Sequence, residues 1–368
     1  MQRTSPPFRA DEVGSFLRSP AIKDARARHD AGTLDGAGLR AVEDAEITAL
    51  IREQEAAGLE LATDGEFRRA WWHYDFIGLL DGVEIAEIDH GLPFQGVETK
   101  PKAPTIIGKL GFPADHPFID HFRFLASTTT VTPKMTIPSP TVLHWRLEND
   151  GVDDVAYADR DALLDDLAAV YRAAVQAFYD AGCRYLQFDD TVWAYLCSEA
   201  EIERAAERGV AVDGIADRYV RLINDSLRDK PDDMVVTTHV CRGNFKSTWI
   251  SSGGYEPVAE HLLSRCDYDG YFLEYDTERA GGFEPLRFLP RGDKIVVLGL
   301  ITSKSGDPEV SAEVEERIRE AAEFVPLEQI ALSPQCGFAS TEEGNLLTEA
   351  QQWAKMRQIV EISKTVWG

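Results

Sequence analysis

A chain of 368 residues that is 44% hydrophobic and 27% charged holds enough apolar material for one large barrel or two modest domains. Its formal charge of −25 argues against nucleic acid and anionic membranes as partners, because a surface of that sign repels phosphates over a Debye length of about 8 Å. No apolar run approaches the roughly 20 residues of a membrane span, the first 13 residues lack the apolar core of a secretory signal, and five scattered cysteines suit a reducing compartment, so a cytoplasmic address is expected.

In chain order, DEVGSFLRSP at 11–20 reads as a short strand presenting Gly14 and Ser15 at its tip. Apolar positions at Leu39, Val42, Ile47, Leu50 and Ile51 recur near helical spacing and predict a helix from Asp35 to Ala57, stopped by Gly58. LELATDGEF at 59–67 is a second strand, whose far end carries Asp64, Gly65 and Glu66. Residues 67–133 break the rhythm with RRAWWHYDF, DGVEIAEI and a Pro/Gly-punctuated stretch, and read as an excursion over one end of the fold. An amphipathic segment near 115–126 leads back to a third strand, KMTIPSP at 134–140.

From there the alternation is regular. A helix with the stripe Leu164, Leu167, Tyr171, Ala174 and Phe178 precedes RYLQFDD at 184–190, and a long charged helix over about 199–229 precedes MVVTTHVC. GYFLEYD at 270–276, KIVVLGLIT at 294–302, a helix near 309–325, QIALSPQCG at 329–337 and a final helix ending near Thr365 complete the chain. Eight strands alternating with helices predict an α/β fold, a single (β/α)8 TIM-type barrel over residues 1–368 with an insertion after the second strand. In that fold the active site lies on the loops that follow the strands. Ser15, Glu66, Ser139, Asp189, His239, Cys241, Glu274 and Cys336 all fall at carboxyl ends of predicted strands. A doubly wound open sheet competes, but it would carry a Gly-rich phosphate loop after the first strand, and none is present.

The chemistry centres on TTHVCRGNF, residues 237–245. His239 and Cys241 are two apart at a strand end, so imidazole and thiol share one face. Glu274 and Cys336 occupy equivalent places after later strands, and the four together form a soft, zinc-type ligand set. Either His239 or Cys241 alone reads equally as a core or loop residue; it is the convergence of strand tips at a barrel mouth that favours ligation. No CxxC knuckle and no HExxH accompanies them, so neither a common structural zinc module nor a common hydrolytic site is expected. Two thiolates, one carboxylate and a neutral imidazole around Zn2+ leave a net charge of about −1, a poor activator of water but one that keeps sulfur nucleophilic. Glu274, the hardest ligand, is the one expected to yield to a substrate thiol, so the metal chemistry suggests thiol alkylation.

TTHVCRGNF, DEVGSF, ATDGEFRR, LQFDD and SPQCGF, spread over residues 11–338, together resemble the catalytic barrel of cobalamin-independent methionine synthase, particularly its short single-barrel relatives. The resemblance implies His239, Cys241, Glu274 and Cys336 as zinc ligands, with Ser15 and its neighbouring backbone, Glu66 and Asp189 holding the amino-acid part of homocysteine. That assignment has independent physical sense: two carboxylates suit an ammonium, and a hydroxyl with strand-tip amides suits a carboxylate. The chain differs from the full-length family in three places. It has no room for a second, amino-terminal barrel; it reads Asp189-Asp190-Thr191 where the family has Asp-Glu-Pro; and GLITSKSGDPE lacks the histidine of the family's seventh loop. A methyl group on a folate nitrogen leaves poorly without a proton donor, so methylcobalamin stands beside methylfolate as an expected donor.

Further pocket candidates are Trp71 and Trp72, with His73, Tyr74 and Phe76, as an apolar wall against a pterin or corrin, and Arg68, Arg242 and Lys304 against an anionic donor. Their competing roles are packing and rim ion pairs; for Arg69 the rim ion pair is favoured. Ser139 and Asp190 are expected at the pocket edge, and Cys183, Cys197 and Cys266 as spectators. The function expected is a zinc-dependent thiol methyltransferase converting homocysteine to methionine. The alternatives are an epoxide:thiol alkyltransferase of the coenzyme M type, against which Glu66 and Asp189 argue because a sulfonate thiol has no ammonium, and a non-catalytic binding barrel stapled by zinc.

Overall fold

The computed structural model describes residues 1–89, 91, 93–147, 151–153 and 155–368. Six parallel strands form one sheet in the order Ile330–Pro334, Ile295–Ile301, Gly270–Glu274, Val235–Val240, Tyr185–Asp190 and Met135–Pro138. Every residue of Ile295–Ile301 and of Tyr185–Asp190 is buried, as parallel strands covered on both faces require. The chain is thus an α/β protein with a parallel sheet, its helices drawn from the alternation that the sequence predicts.

Beyond the sixth strand the pairing continues in shorter pieces. Thr132–Pro133 pairs in parallel with Leu61–Ala62 and runs directly into Met135–Pro138, the Lys134 N–H donating to the Ala62 carbonyl at 2.9 Å. At the expected first strand, 11–20, and just before it, the described residues make two isolated parallel bridges, Ser15 to Gly65 and Ala10 to Leu332. The strand's ladder is interrupted for a local reason: the Asp11 carboxylate accepts from the Phe8 and Glu12 N–H groups, and Gly14 takes a φ of 144°.

Three helical readings change. Pro20–Asp30 is a helix, capped by the Ser19 hydroxyl on the Ile22 N–H, so the expected strand at 11–20 ends before its Ser-Pro pair. The expected long helix is broken into Glu199–Glu207 and Ile215–Leu227, with Gly209 and Gly214 at positive φ between them. Within Arg160–Asp180, Leu163 is buried and Leu164 only half-buried. By contrast, Gly36–Ala57 has the expected bounds, with Asp35 as N-cap and Gly58 left-handed at its end.

Residues 67–133 contain a short helix, Tyr74–Ile77, an antiparallel pair of Asp81–Glu87 with Lys102–Gly111, a smaller hairpin of Pro93–Phe94 with Val97–Glu98, and the helix Pro117–Thr128. Residues 90 and 92 of that stretch lie outside the described residues. Among the described residues, no helix is long and apolar enough to cross a membrane.

Candidate active site

The carboxyl ends of the parallel strands bring four separated donors to one point. His239 is the penultimate residue of Val235–Val240, Cys241 follows that strand, Glu274 ends Gly270–Glu274, and Cys336 lies two residues beyond Ile330–Pro334. One ligand atom from each lies within 4.8 Å of the others, and all four residues are buried. The sulfur atoms of Cys241 and Cys336 share a hydrogen bond at 3.5 Å.

The cluster leaves several buried polar atoms facing one point. Among the described residues, neither ring nitrogen of His239 has a well-formed hydrogen-bond partner and Glu274 Oε2 has none; Glu274 Oε1 accepts the Arg242 N–H at 2.7 Å. An orphaned buried polar atom costs about 1–3 kcal/mol, so three orphans converging on one point fit a metal ion as their missing partner. The hydrogen bond from Cys241, with help from His239 and Lys304 and against the cost of burial, holds the Cys336 thiol well below its ordinary range. The same bond, together with burial, holds Cys241 well above. Burial pulls His239 down, but the proximity of Cys336, Asp189 and Glu274 leaves it raised. Without a metal, the two sulfurs therefore share a proton that a bound cation would displace. Soft thiolates with an imidazole and one carboxylate fit zinc among common divalent ions.

Three of the four donors, His239, Cys241 and Cys336, line a cavity of about 620 Å³ counted out to its mouth; Glu274 stands behind them. Ser15, Glu66 and Asp189 line the same cavity. Consecutive left-handed residues, Gly65 at φ 65° and Glu66 at φ 59°, turn the chain there. Glu66 Oε1 accepts from Thr136 Oγ1 at 3.1 Å and faces Arg69 at 3.5 Å, while Oε2 has no partner among the described residues. Burial, offset in part by Arg69 and Arg18, raises the Glu66 carboxyl. Asp189, which accepts from Gln187 Nε2 at 2.7 Å, is pushed up to about 8 by burial and then by the charge of Glu66. The pair is therefore short of positive charge in the direction of the cavity. Ser15 Oγ accepts the Ala339 N–H at 3.3 Å and leaves its own proton free to donate.

Trp71 and Trp72 are in the wall, as expected, and so is His73, stacked on Trp72 at 4.5 Å. Tyr74 and Phe76 are outside the lining; Phe76 is fully buried and meets Phe118 and His116. Five other candidates also stand off the cavity. Arg68 turns to helix Gly36–Ala57, where it pairs with Glu43 at 3.1 Å and with Asp44. Asp190, on the opposite strand face from Asp189, accepts from Thr141 Oγ1 at 2.7 Å and the Val192 N–H at 2.8 Å. Ser139 opens helix Pro140–Arg146, its hydroxyl oxygen 3.1 Å from that of Thr141. The Arg242 guanidinium lies over Tyr255 at 4.3 Å. Lys304 Nζ is buried behind the ligands, where burial is outweighed by Glu274 and Asp276 and its ammonium form is favoured.

Arg69, expected at the rim, is buried and backs Glu66 with its guanidinium over Phe118 at 4.7 Å. Arg146, Tyr195, Phe94 and Phe245 also line the cavity, and nothing in the local sequence distinguishes them from core residues.

Similarity to known proteins accords with this geometry. The family model described as cobalamin-independent synthase, catalytic domain, matches residues 8–364. The uncharacterized protein YxjG of Bacillus subtilis (strain 168) is 49% identical, over 100% of this chain and 97% of its own. A crystal structure from Listeria monocytogenes, described as a putative vitamin-B12 independent methionine synthase, is 42% identical with a TM-score of 0.80, covering 100% of both chains. A B12-independent methionine synthase from Shewanella sp. W3-18-1, solved with selenomethionine, has the same fold at 20% identity, with a TM-score of 0.71 over 96% of both chains. The chain therefore belongs to the cobalamin-independent methionine synthase family, through its catalytic domain.

Proposed function

We propose that this protein is a zinc-dependent thiol methyltransferase that converts homocysteine to methionine. The observation that carries the reading is the convergence, on one cavity, of three donors of a His–Cys–Glu–Cys cluster with a buried carboxylate pair and Ser15. An acceptor that is both a thiol and an α-amino acid matches that combination; a sulfonate thiol would leave Glu66 and Asp189 without a partner.

In this reading His239, Cys241, Glu274 and Cys336 hold Zn2+, which supplies a substrate sulfur deprotonated at neutral pH yet still nucleophilic. Glu66 and Asp189 take the acceptor's ammonium, and Ser15 with nearby backbone amides takes its carboxylate. These contacts fix the sulfur's line of approach, so the donor's methyl group is met in line. Trp71, Trp72 and Phe245 keep water from the reacting atoms. The donor is a methylfolate or methylcobalamin.

The architecture belongs to the same proposal: a single eight-stranded (β/α)8 barrel over 1–368, with residues 67–133 an excursion above the active-site end. The bridges Ala10 to Leu332 and Ser15 to Gly65, with the Leu61 to Thr132 pairing, support a ring that joins the two edges of the six-stranded sheet. Phe94 and Thr99 of the excursion, which line the cavity, support its position over the site. Five free cysteines support a cytoplasmic location.

X-ray absorption at the zinc edge, with and without homocysteine, tests the reading. The expected result is one zinc per chain whose sulfur shell grows from two to three on adding homocysteine; a shell that stays unchanged overturns the transferase assignment and leaves a structural staple.

A further inference from the structure

Ser15, Glu66 and Cys336 reach the cavity from three loops far apart in the chain, and one buried side chain outside the cavity lining ties those loops together. Arg18, just ahead of helix Pro20–Asp30, is 5% exposed. Its Nη1 is shared among the carbonyl oxygens of Phe16 at 3.0 Å, Gly65 at 3.4 Å and Ala339 at 2.6 Å, and its Nη2 donates to that of Arg69 at 3.1 Å. Phe16 follows Ser15, Gly65 precedes Glu66, and Ala339 lies shortly beyond Cys336. Burial lowers the guanidinium to about 10 while the charge of Glu66 acts against that fall, so it is a cation at neutral pH.

The loops held in this way are the ones whose shape the acceptor pocket needs. Glu66 has a φ of 59°, a conformation that a residue with a side chain keeps only where its surroundings over-determine it. Arg18 grips that turn through the Gly65 and Arg69 carbonyls, and Arg26 grips it again, donating to Phe67 at 2.8 Å and to Arg69 at 2.9 Å. Ala339 is held at both ends: its N–H donates to Ser15 Oγ at 3.3 Å, and its carbonyl accepts from Arg18. One guanidinium thus sets the Ser15 hydroxyl and the Glu66 carboxylate in a fixed relation. Four carbonyl oxygens drawn toward one point repel one another; a planar cation with five donors satisfies them together, whereas a neutral side chain leaves several of them buried and unpaired.

We infer that Arg18 is a positioning residue for the acceptor: by setting Ser15 against Glu66 it fixes the spacing between the places that take the acceptor's carboxylate and its ammonium, and with it the selectivity for an α-amino-acid thiol. The inference rests on the acceptor reading proposed above and deepens it. Arg18 acts without touching the substrate, so its loss is felt only by a thiol that uses both places.

Calorimetric titration of the zinc-loaded full chain with homocysteine and with 1-propanethiol, which lacks both charged groups, tests it. Wild type is expected to bind homocysteine at least about 100-fold more tightly than propanethiol. In Arg18→Gln that preference should fall about 10–50-fold, while propanethiol affinity and zinc content stay within about twofold of wild type. Arg18→Lys, which keeps the charge but not the planar fork, should lose only about 3–10-fold, and it supplies the comparison if Arg18→Gln does not fold. Because Arg18 acts through Ser15 and Glu66, substituting it in a chain that already carries Ser15→Ala and Glu66→Gln should cost less than about threefold in homocysteine affinity. A preference that survives in the Arg18 variants, a loss shared equally by both thiols, or an equal loss in the Ser15→Ala, Glu66→Gln chain overturns the positioning role alone. Wild type with no preference for homocysteine overturns the acceptor reading beneath it.

Discussion

Cys241 and Cys336, 95 positions apart in the chain, bring their sulfur atoms to 3.5 Å. That is far outside a disulfide bond of about 2.05 Å and near the roughly 3.8 Å that two thiolates adopt on one tetrahedral zinc at about 2.3 Å each. Their separation therefore matches shared ligation. Cys241→Ala or Cys336→Ala should each weaken zinc binding by at least about 100-fold, beyond what loss of a supporting contact produces. Zinc content after competition with a chelator measures it; either variant retaining a full equivalent would refute the ligand assignment.

Glu66 and Asp189 give a prediction about acceptor choice. Glu66→Gln or Asp189→Asn should raise KM for homocysteine by about 10–100-fold, the loss of one charge-assisted contact, while zinc content and use of a thiol lacking an ammonium stay unchanged. Because Asp189 is pushed up to about 8, it is mostly protonated at pH 7 in the free protein. An incoming ammonium favours its ionised form, so homocysteine binding should release a proton from this pair, detected by calorimetry in buffers of different ionisation enthalpy and lost in Asp189→Asn.

Gly337 adjoins Cys336 and leaves almost no space beside Ser15. A Cβ at position 337 would lie 2.0 Å from Ser15 Oγ. Gly337→Ala should therefore displace the hydroxyl and weaken homocysteine binding by about 5–20-fold, with a stability loss of about 1–3 kcal/mol. An unchanged KM in a folded variant would exclude Ser15 from the acceptor contacts.

The opposite end of the sheet carries a buried polar group with a pH signature. Lys134 Nζ lies 3.0 Å from Asp11, both fully buried, and Glu12 is beside them. Burial, offset in part by Lys134, pushes Glu12 up from 4.5 to about 7. The folded chain keeps a proton that the unfolded chain has lost across that window, so stability falls as pH rises from about 4.5 to about 7 and levels off above. Glu12→Gln should remove that fall, a gain over wild type of at most about 3 kcal/mol at pH 8 and little at pH 4. Urea midpoints at the two pH values provide the comparison; a constant difference between them would contradict the assignment.

Much of this site was legible because its residues recur at one kind of place. His239 and Asp189 are penultimate and Glu274 is last in apolar strands, and the two-residue spacing of His239 and Cys241 puts them on one face. Where single-residue reasoning failed, the reason was a partner distant in sequence. Arg68 follows Glu66 closely, yet two acids on the helix 36–57 draw it away. Asp190 adjoins Asp189, yet strand alternation sends it to Thr141. Helix Pro20–Asp30 begins at a Ser-Pro pair that closes an extended stretch as readily as it caps a helix, so the local pattern does not separate the two.

The sequence by itself determined the alternation of strands and helices and the identity of the soft donors, since hydrophobic periodicity and residue chemistry are local properties. Only the tertiary structure decided which polar groups share a cavity. Register between parallel strands sets Asp189 opposite His239. Helix Pro140–Arg146 delivers to the cavity an arginine that has no carboxylate partner among the described residues. Whether a charge is paired or left open depends on what the rest of the chain brings within about 4 Å, and no local pattern encodes that.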